Sequence, residues 1–319
     1  MKRQRLVLLI KLLVIVILIS SATIVAGSDE LKRELLEAIL SQDKPELFDD
    51  YGELQLAKTK MQTIIQGLDS RDVTETTKAW VDLSLKIIDD FDLMVNESES
   101  SDPRAHINAV EAADRINISI NTLNGYPIAE RNGIPMLSML ALMRFYRAEG
   151  KFFEDAARNT AETKLKLDYG RRSSIAYEKG SMPSEASRMA FESRRNERIY
   201  ERDMVKASKD INAARVQRDK AIAQSSEFFG SDFMSILKAR DSFEQAKGLY
   251  KKHNDKELEN VKGIEEEIKH AYQTLMLDAL LRVGIYLLIL SFIVVILWKE
   301  FKKWGEDLDD TRLGEELIV

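Results

Sequence analysis

Residues Ala279–Trp298 read ALLRVGIYLLILSFIVVILW, 20 residues with a single charge, Arg282. As an α-helix this stretch is about 30 Å long, the thickness of the hydrocarbon core of a bilayer. A helix in a soluble core seldom presents apolar side chains on every face, so the sequence predicts a transmembrane helix, taken with its outer turn as 275–298. Lys299, Lys302 and Lys303 follow at once, flanked by Trp298 and Trp304. A basic cluster with interfacial indoles is the pattern of a cytoplasmic flank.

The first residues carry the same polarity. Lys2, Arg3 and Arg5 precede the apolar run Leu12–Ile19, and the small residues Ala26 and Gly27 stand before the polar Ser28, Asp29 and Glu30. That order predicts a signal peptide over 1–27, cleaved after Ala26 or Gly27. Leu6–Ala26 is also long enough to remain as an uncleaved signal anchor, with Lys11 snorkelling to the basic end. Either way both flanks favour the same side. The expectation is a single-pass protein of the cell membrane with residues 28–274 outside and a short acidic cytoplasmic tail, 299–319. The net charge of -6 resolves accordingly into +4 over 1–27, about -7 over the exported body and -3 over the tail.

Composition narrows the fold. There are 14 glycines, 5 prolines and no cysteine. Disulfide scaffolds, thiolate metal sites and thiol nucleophiles are thereby excluded, and an exported body must hold together by packing alone. Gly and Pro are too scarce for a turn-dense β protein. The acidic balance disfavours a broad nucleic-acid-binding surface, so no nucleic-acid partner is expected. Asn96-Glu97-Ser98 and Asn117-Ile118-Ser119 are sequons in the exported part and candidate glycosylation sites.

Apolar residues at helical spacing run through the middle of the chain. Leu31, Leu35, Leu36, Ile39 and Leu40 make a first stripe, and Leu54, Ala57, Met61, Ile64, Ile65 and Leu68 a second. A third comprises Trp80, Leu83, Ile87, Ile88, Phe91 and Val95; a fourth, Ile107, Val110, Ile116, Ile120 and Leu123. The four predict an antiparallel bundle over 28–125. The breaker cluster Gly125-Tyr126-Pro127 to Gly133-Ile134-Pro135 marks the expected boundary with a second region, 126–274. There, helices are expected over Met136–Ala148 and Phe152–Leu167, then a connector punctuated by Gly170, Gly180 and Pro183. No proline follows Pro183, which permits very long helices. Tyr200, Met204, Ala207, Ile211 and Ala214 alternate four- and three-residue steps as in a coiled-coil seam, and Arg218 interrupts them before Ala221. Phe228-Phe229-Gly230-Ser231 is a predicted turn, and Asp255 is expected to start a helix that continues into the membrane. Ala239, Phe243, Ala246, Leu249 and Tyr250 resemble the second helix of a tetratricopeptide repeat over about 20 residues, with no second copy at the repeat period of about 34. The resemblance implies a helical hairpin with small residues at its crossing. The fold class is therefore all-α: a helical bundle, then long antiparallel, coiled-coil-like helices, then a transmembrane helix.

Catalytic and metal-binding signatures are lacking. His106, His253 and His270 lie on separate predicted helices without an i,i+4 pair or HExxH, the pattern of ordinary surface or half-buried histidines. No GxGxxG, P-loop or GxSxG occurs. Asp89, Asp90, Asp92, Glu97, Glu99 and Asp102 lack the Gly and alternating ligands of a Ca²⁺ loop, which makes them a solvated helix end. No enzyme activity and no cofactor are expected. Asp278 and Arg282, four residues apart, predict an intrahelical pair at the outer interface or contacts with a partner transmembrane helix. The chain is thus expected to be a membrane-anchored helical ectodomain that serves as an interaction or scaffold component, with a protein partner or as a homo-oligomer. The alternative is an extracytoplasmic sensor or ligand-binding ectodomain working with a separate signalling or transport subunit.

Overall fold

Backbone chemistry sets where the helices begin. All five prolines stand in the first turn of a helix, where the missing N–H has no intrahelical acceptor in any case. Thr74 and Thr77 form a reciprocal capping box, and Asp102 accepts the Arg104 N–H at 3.0 Å just ahead of Pro103. A computed structural model describes residues 28–223 and 231–315, and among them the chain is helical with no strand. The signal segment 1–27 and the turn expected at Phe228-Phe229-Gly230 lie outside the described residues.

The elements are α1 (28–41), α2 (Pro45–Asp50), α3 (Gly52–Gly67), a short 3₁₀ turn at Ser70–Asp72, α4 (Glu75–Ser98), α5 (Pro103–Leu123), α6 (Pro127–Arg131), α7 (Ile134–Asn159), α8 (Thr163–Lys179), α9 (Pro183–Ala223), α10 (Ser231–Lys252), α11 (Glu257–Asn260) and α12 (Lys262–Glu315). They fall into two compact units. The first runs through Thr160 and includes Leu165–Asn196; the second takes Ala161–Lys164 and the chain from Glu197 on.

Unit 1 is built on the α4–α5 hairpin, with α7 packed against α3 and α5. Each helix contributes one apolar stripe. Met61 and Ile65 from α3, Trp80, Ile88 and Phe91 from α4, Ile116 and Ile120 from α5, and Leu142 and Phe145 from α7 share one core. Phe91 lies edge-on to Tyr51 at 5.0 Å and to Phe145 at 6.4 Å between centroids. The breaker cluster at 125–135 consequently falls inside this unit. Gly133, at φ +69°, reverses the chain so that α7 returns onto the core.

The helices expected over Met136–Ala148 and Phe152–Leu167 are instead one helix, α7, followed by a separate α8, and Gly170 lies within α8. Gly150 does not break α7 because it serves packing. A Cβ there would come within 2.6 Å of the Tyr177 ring, and Tyr177 is itself held by a 2.8 Å hydrogen bond from its hydroxyl to Glu154. Gly150→Ala is expected to destabilise unit 1 by about 1–3 kcal/mol, the cost of overpacking a filled site. A melt of the full chain that is unchanged by this substitution would show that the ring has room to move.

Unit 2 holds the lower part of α9, α10, α11 and α12. Ala207, Ile211, Ala214 and Ala221 of α9 face Ile236, Ala239, Phe243 and Ala246 of α10 and Ile264, Ile268, Ala271 and Leu275 of α12. Alanines make up much of what α9 and α10 contribute to this cluster. Arg218 does not break the seam, since its guanidinium reaches out of it to Glu267. Asp255 precedes α11 and accepts the Glu257 N–H at 3.0 Å, so the start expected at Asp255 is a short turn ahead of α12. α12 is 54 residues long. Its first turns pack in the core, and from Met276 its large apolar side chains are exposed through Trp298. Among the described residues this is the one helix long and apolar enough to cross a membrane.

Candidate functional site

The residues singled out near the membrane occupy α12. Arg282 Nη2 lies 2.5 Å from Asp278 Oδ2, one turn apart, so each charge has its counterion on its own helix. Such a pair contributes only a few tenths of a kcal/mol in water; its value is to neutralise both charges at the edge of an apolar segment. Asp278 also lines an open groove of about 1060 Å³ between α9 and α12, with Arg218, His270 and Thr274. Lys299, Lys302 and Lys303 are exposed at the far end of the apolar surface, while Lys2, Arg3 and Arg5 lie outside the described residues.

The two sequons occupy different settings. Asn96 is exposed in the last turns of α4, and Asn117 is half-buried in the middle of α5. The acidic stretch around Asp90 is engaged by lysines rather than open. Lys44 reaches Asp89 at 3.1 Å and Asp92 at 2.7 Å, Lys86 pairs with Asp90, and Asp102 caps α5.

Two histidines expected at or near the surface are instead buried. His106 of α5 faces Glu149 of α7, with Nδ1 3.0 Å from both carboxylate oxygens. Its Nε2 donates to the Ser100 carbonyl at 2.6 Å, which fixes a proton on that nitrogen. Burial pushes the Glu149 carboxyl up, and the adjacent His106 only partly offsets it. Phe152 stacks on the imidazole at 3.3 Å between centroids and closes that face. One turn along α7, Glu154 accepts from Tyr177 at 2.8 Å and Arg188 at 2.9 Å, and also pairs with Arg158. Burial raises its pKa, but these donors and cations outweigh it and hold the carboxyl below its ordinary value.

In unit 2 a second polar cluster gathers where α10 ends. Asp203 of α9 accepts from Lys252 at 2.7 Å and from His253 Nε2 at 3.1 Å. The Lys252 and His253 hydrogen bonds hold the Asp203 carboxyl well below the usual carboxylate range. His253 Nδ1 meets the Thr163 hydroxyl at 3.0 Å, and the Thr163 N–H donates to the His253 carbonyl at 3.2 Å. Asp255 is bound by the Tyr200 hydroxyl and by Lys164 at 3.4 Å. Here a hydroxyl, an imidazole and a carboxylate do lie in line. The Asp203 carboxylate is also paired with Arg202 and Lys252, so the cluster ties Thr163, Asp203 and the end of α10 together. Among the described residues no group of three or more His, Asp or Glu side chains is arranged to hold a metal ion.

Sequence reasoning missed both clusters because their members are 43 and 50 residues apart and belong to no local motif. A buried polar pair leaves one sequence trace, a charged residue on an otherwise apolar stripe. Glu149 fits that description between Phe145 and Phe153. No protein family, curated protein or solved structure matches this chain.

Proposed function

We propose that the protein is a single-pass, membrane-anchored helical ectodomain that acts as an interaction or scaffold component of the cell envelope, without catalysis. The observation that carries this reading is the continuity of α12. One uninterrupted helix supplies Ile264, Ile268, Ala271 and Leu275 to the unit 2 core and then the exposed apolar surface to Trp298. A helical module joined to its span without a flexible linker is held at a fixed height above the lipid, which suits a protein that presents surfaces to neighbours. The basic flanks support a topology with the bulk of the chain outside and the C-terminus in the cytoplasm. The polar clusters support a structural role for the ionisable residues, since each is saturated by hydrogen bonds from the fold itself.

The sensor reading draws on a different observation, the cleft between α4 and α5 bordered by Asp90, Glu97 and Arg115. At about 270 Å³ it is below the usual size of a small-molecule pocket, about 300–1,000 Å³. The two readings separate by light scattering of the full chain in detergent. The scaffold reading expects particles holding more than one protein copy, or a stable stoichiometric partner. A strictly monomeric chain whose melting temperature rises with a small ligand would replace it with the sensor reading. If the assembly depends on transmembrane charges, Arg282→Leu lowers the mass of the particle, and an unchanged mass removes Asp278 and Arg282 from the interface.

A further inference from the structure

The end of the unit 2 bundle lies at the depth of the lipid headgroups. Leu275 is the last α12 residue in the core, and the apolar segment begins four residues later at Ala279. Four residues of helix rise about 6 Å. The headgroup layer on each side of a bilayer is also about 5–8 Å thick, the difference between the full and the hydrocarbon thickness shared between two faces. A helix that places Ala279 at the hydrocarbon boundary therefore places Leu275 within the headgroup layer. Tilt only brings it closer.

The neighbouring helices are brought to the same depth by their contacts with α12. α9 and α12 run in the same direction, since Tyr200 pairs with Asp255 at one end and Arg218 with Glu267 towards the other. α10 runs back, with Phe233 beside Tyr272 at 5.8 Å. Ile222 lines one groove with Thr274, Leu275 and Asp278, and Phe233 lies beside Tyr272, so the last turn of α9 and the first turn of α10 flank this end of the bundle. Apolar side chains that unit 2 leaves exposed ahead of Ala279 are, among the described residues, Val205, Val216, Ile222, Met234, Met276 and Leu277. Four of these six crowd at this end, with Ile222 52%, Met234 57% and Met276 44% exposed. Exposed apolar groups gathered at one end are costly in water and favourable among headgroups and upper acyl carbons. Arg218, the basic residue nearest them with a defined partner, is already neutralised by Glu267 and Asp219.

We propose that this end of the bundle, at Ile222, Met234 and Met276, is seated in the outer interfacial layer of the bilayer that α12 crosses. The bilayer is then a second docking surface that fixes the bundle's orientation on the membrane. Attachment is through apolar side chains. The inference rests on α12 spanning the membrane, so its test must be able to fail separately from that reading.

The absence of native cysteine permits single-site labelling of the full chain. Ile222→Cys, Met234→Cys, Val205→Cys and Leu288→Cys, each carrying an environment-sensitive fluorophore, would be compared in phosphatidylcholine vesicles with lipid-borne nitroxide and aqueous iodide as quenchers. Val205 lies 17 residues before Ile222 on α9, about 25 Å further from the lipid. The expected result is strong nitroxide quenching at 222, 234 and 288 and none at 205, with iodide quenching several-fold weaker at 222 and 234 than at 205. Iodide quenching at 222 and 234 equal to that at 205 overturns the inference in favour of water. Protection from both quenchers overturns it in favour of a protein cover, such as a second copy of the chain. Loss of nitroxide quenching at 288 overturns the membrane span and the inference with it.

Discussion

His106→Leu is expected to destabilise unit 1 by about 3–5 kcal/mol at pH 8 and by less at pH 5. The substitution removes the imidazole that faces the Glu149 carboxyl, a residue only 3% exposed. It also removes the donor to the Ser100 carbonyl and the ring stacked on Phe152. The direction with pH follows from the carboxyl. Burial already holds Glu149 above its ordinary value of 4.5 in the folded protein, and His106 restrains that shift. Without His106 the folded-state pKa rises further, so the folded chain binds more protons than the unfolded one above pH 4.5, and stability falls as pH rises through that window. The slope is at most about 1.4 kcal/mol per pH unit. As pH falls toward the ordinary value of 4.5, a growing share of the folded variant carries a protonated carboxyl and the electrostatic cost shrinks. Glu149→Gln separates charge from packing, because it keeps the shape, costs about 1–2 kcal/mol through a weakened hydrogen bond, and removes the carboxyl's contribution to the pH dependence. Trp80, fully buried in the unit 1 core, reports the transition through the red shift of its emission on unfolding. An equal cost for His106→Leu at both pH values would mean that the Glu149 carboxylate is solvated in the folded protein.

What was legible in the sequence was whatever repeats with the period of a helix. The four stripes from Leu31 to Leu123, apart from the exposed Leu40, and the seam through Ala207, Ile211 and Ala214 lie on packed faces in the structure, because burial of one face is a local property of each segment, whereas the run after Ala279 is legible by being apolar on every face. Breakers were harder to read. Gly125, Gly133 and three nearby prolines or aromatics suggested a boundary, yet a reversal of the chain within a core uses the same residues as a linker between cores. Gly150 has the opposite lesson, since a helix accepts glycine where a neighbouring ring needs the space. The polar clusters left a single trace, the carboxylate of Glu149 on the apolar stripe between Phe145 and Phe153. Whether His106 lies under Phe152 or in water depends on which helix packs against α5, and no local pattern around His106 carries that information. The end of the unit 2 bundle around Ile222 and Met234 falls between these cases. Its apolar residues are visible one by one, but their common depth follows only from the parallel course of α9 and α12.

Asp203→Ala should loosen unit 2 by about 2–4 kcal/mol, and its dependence on pH should differ from that of His106→Leu. Asp203 accepts charge-assisted hydrogen bonds from Lys252 and His253 and pairs with Arg202. The three donors do not suffer equally when it is removed. Lys252 and Arg202 have side chains 55% and 74% exposed and return to water at little cost, whereas that of His253 is 7% exposed and loses its partner inside the protein. The damage therefore centres on His253, and with it the bonds to Thr163 that hold the start of α8 to the end of α10. The Asp203 carboxyl is depressed from its ordinary 3.8 by the Lys252 and His253 hydrogen bonds. A depressed carboxyl contributes its stability in full above pH 3.8 and loses it as pH falls through the depressed value. The gap between Asp203→Ala and the native chain accordingly stays open at pH 5, where that for His106→Leu has already narrowed, and narrows only below about pH 4. Hydrogen exchange resolves this best, since amides of the Tyr200–Asp255 segment should exchange faster in the variant while those of α4 and α5 keep their protection. Asp203→Asn, which still accepts from His253 but carries no charge, should fall between the two. If exchange near His253 is unchanged in Asp203→Ala, the helix ends are held by their apolar neighbours, such as Tyr250 and Val261, and the polar cluster contributes specificity of pairing rather than stability.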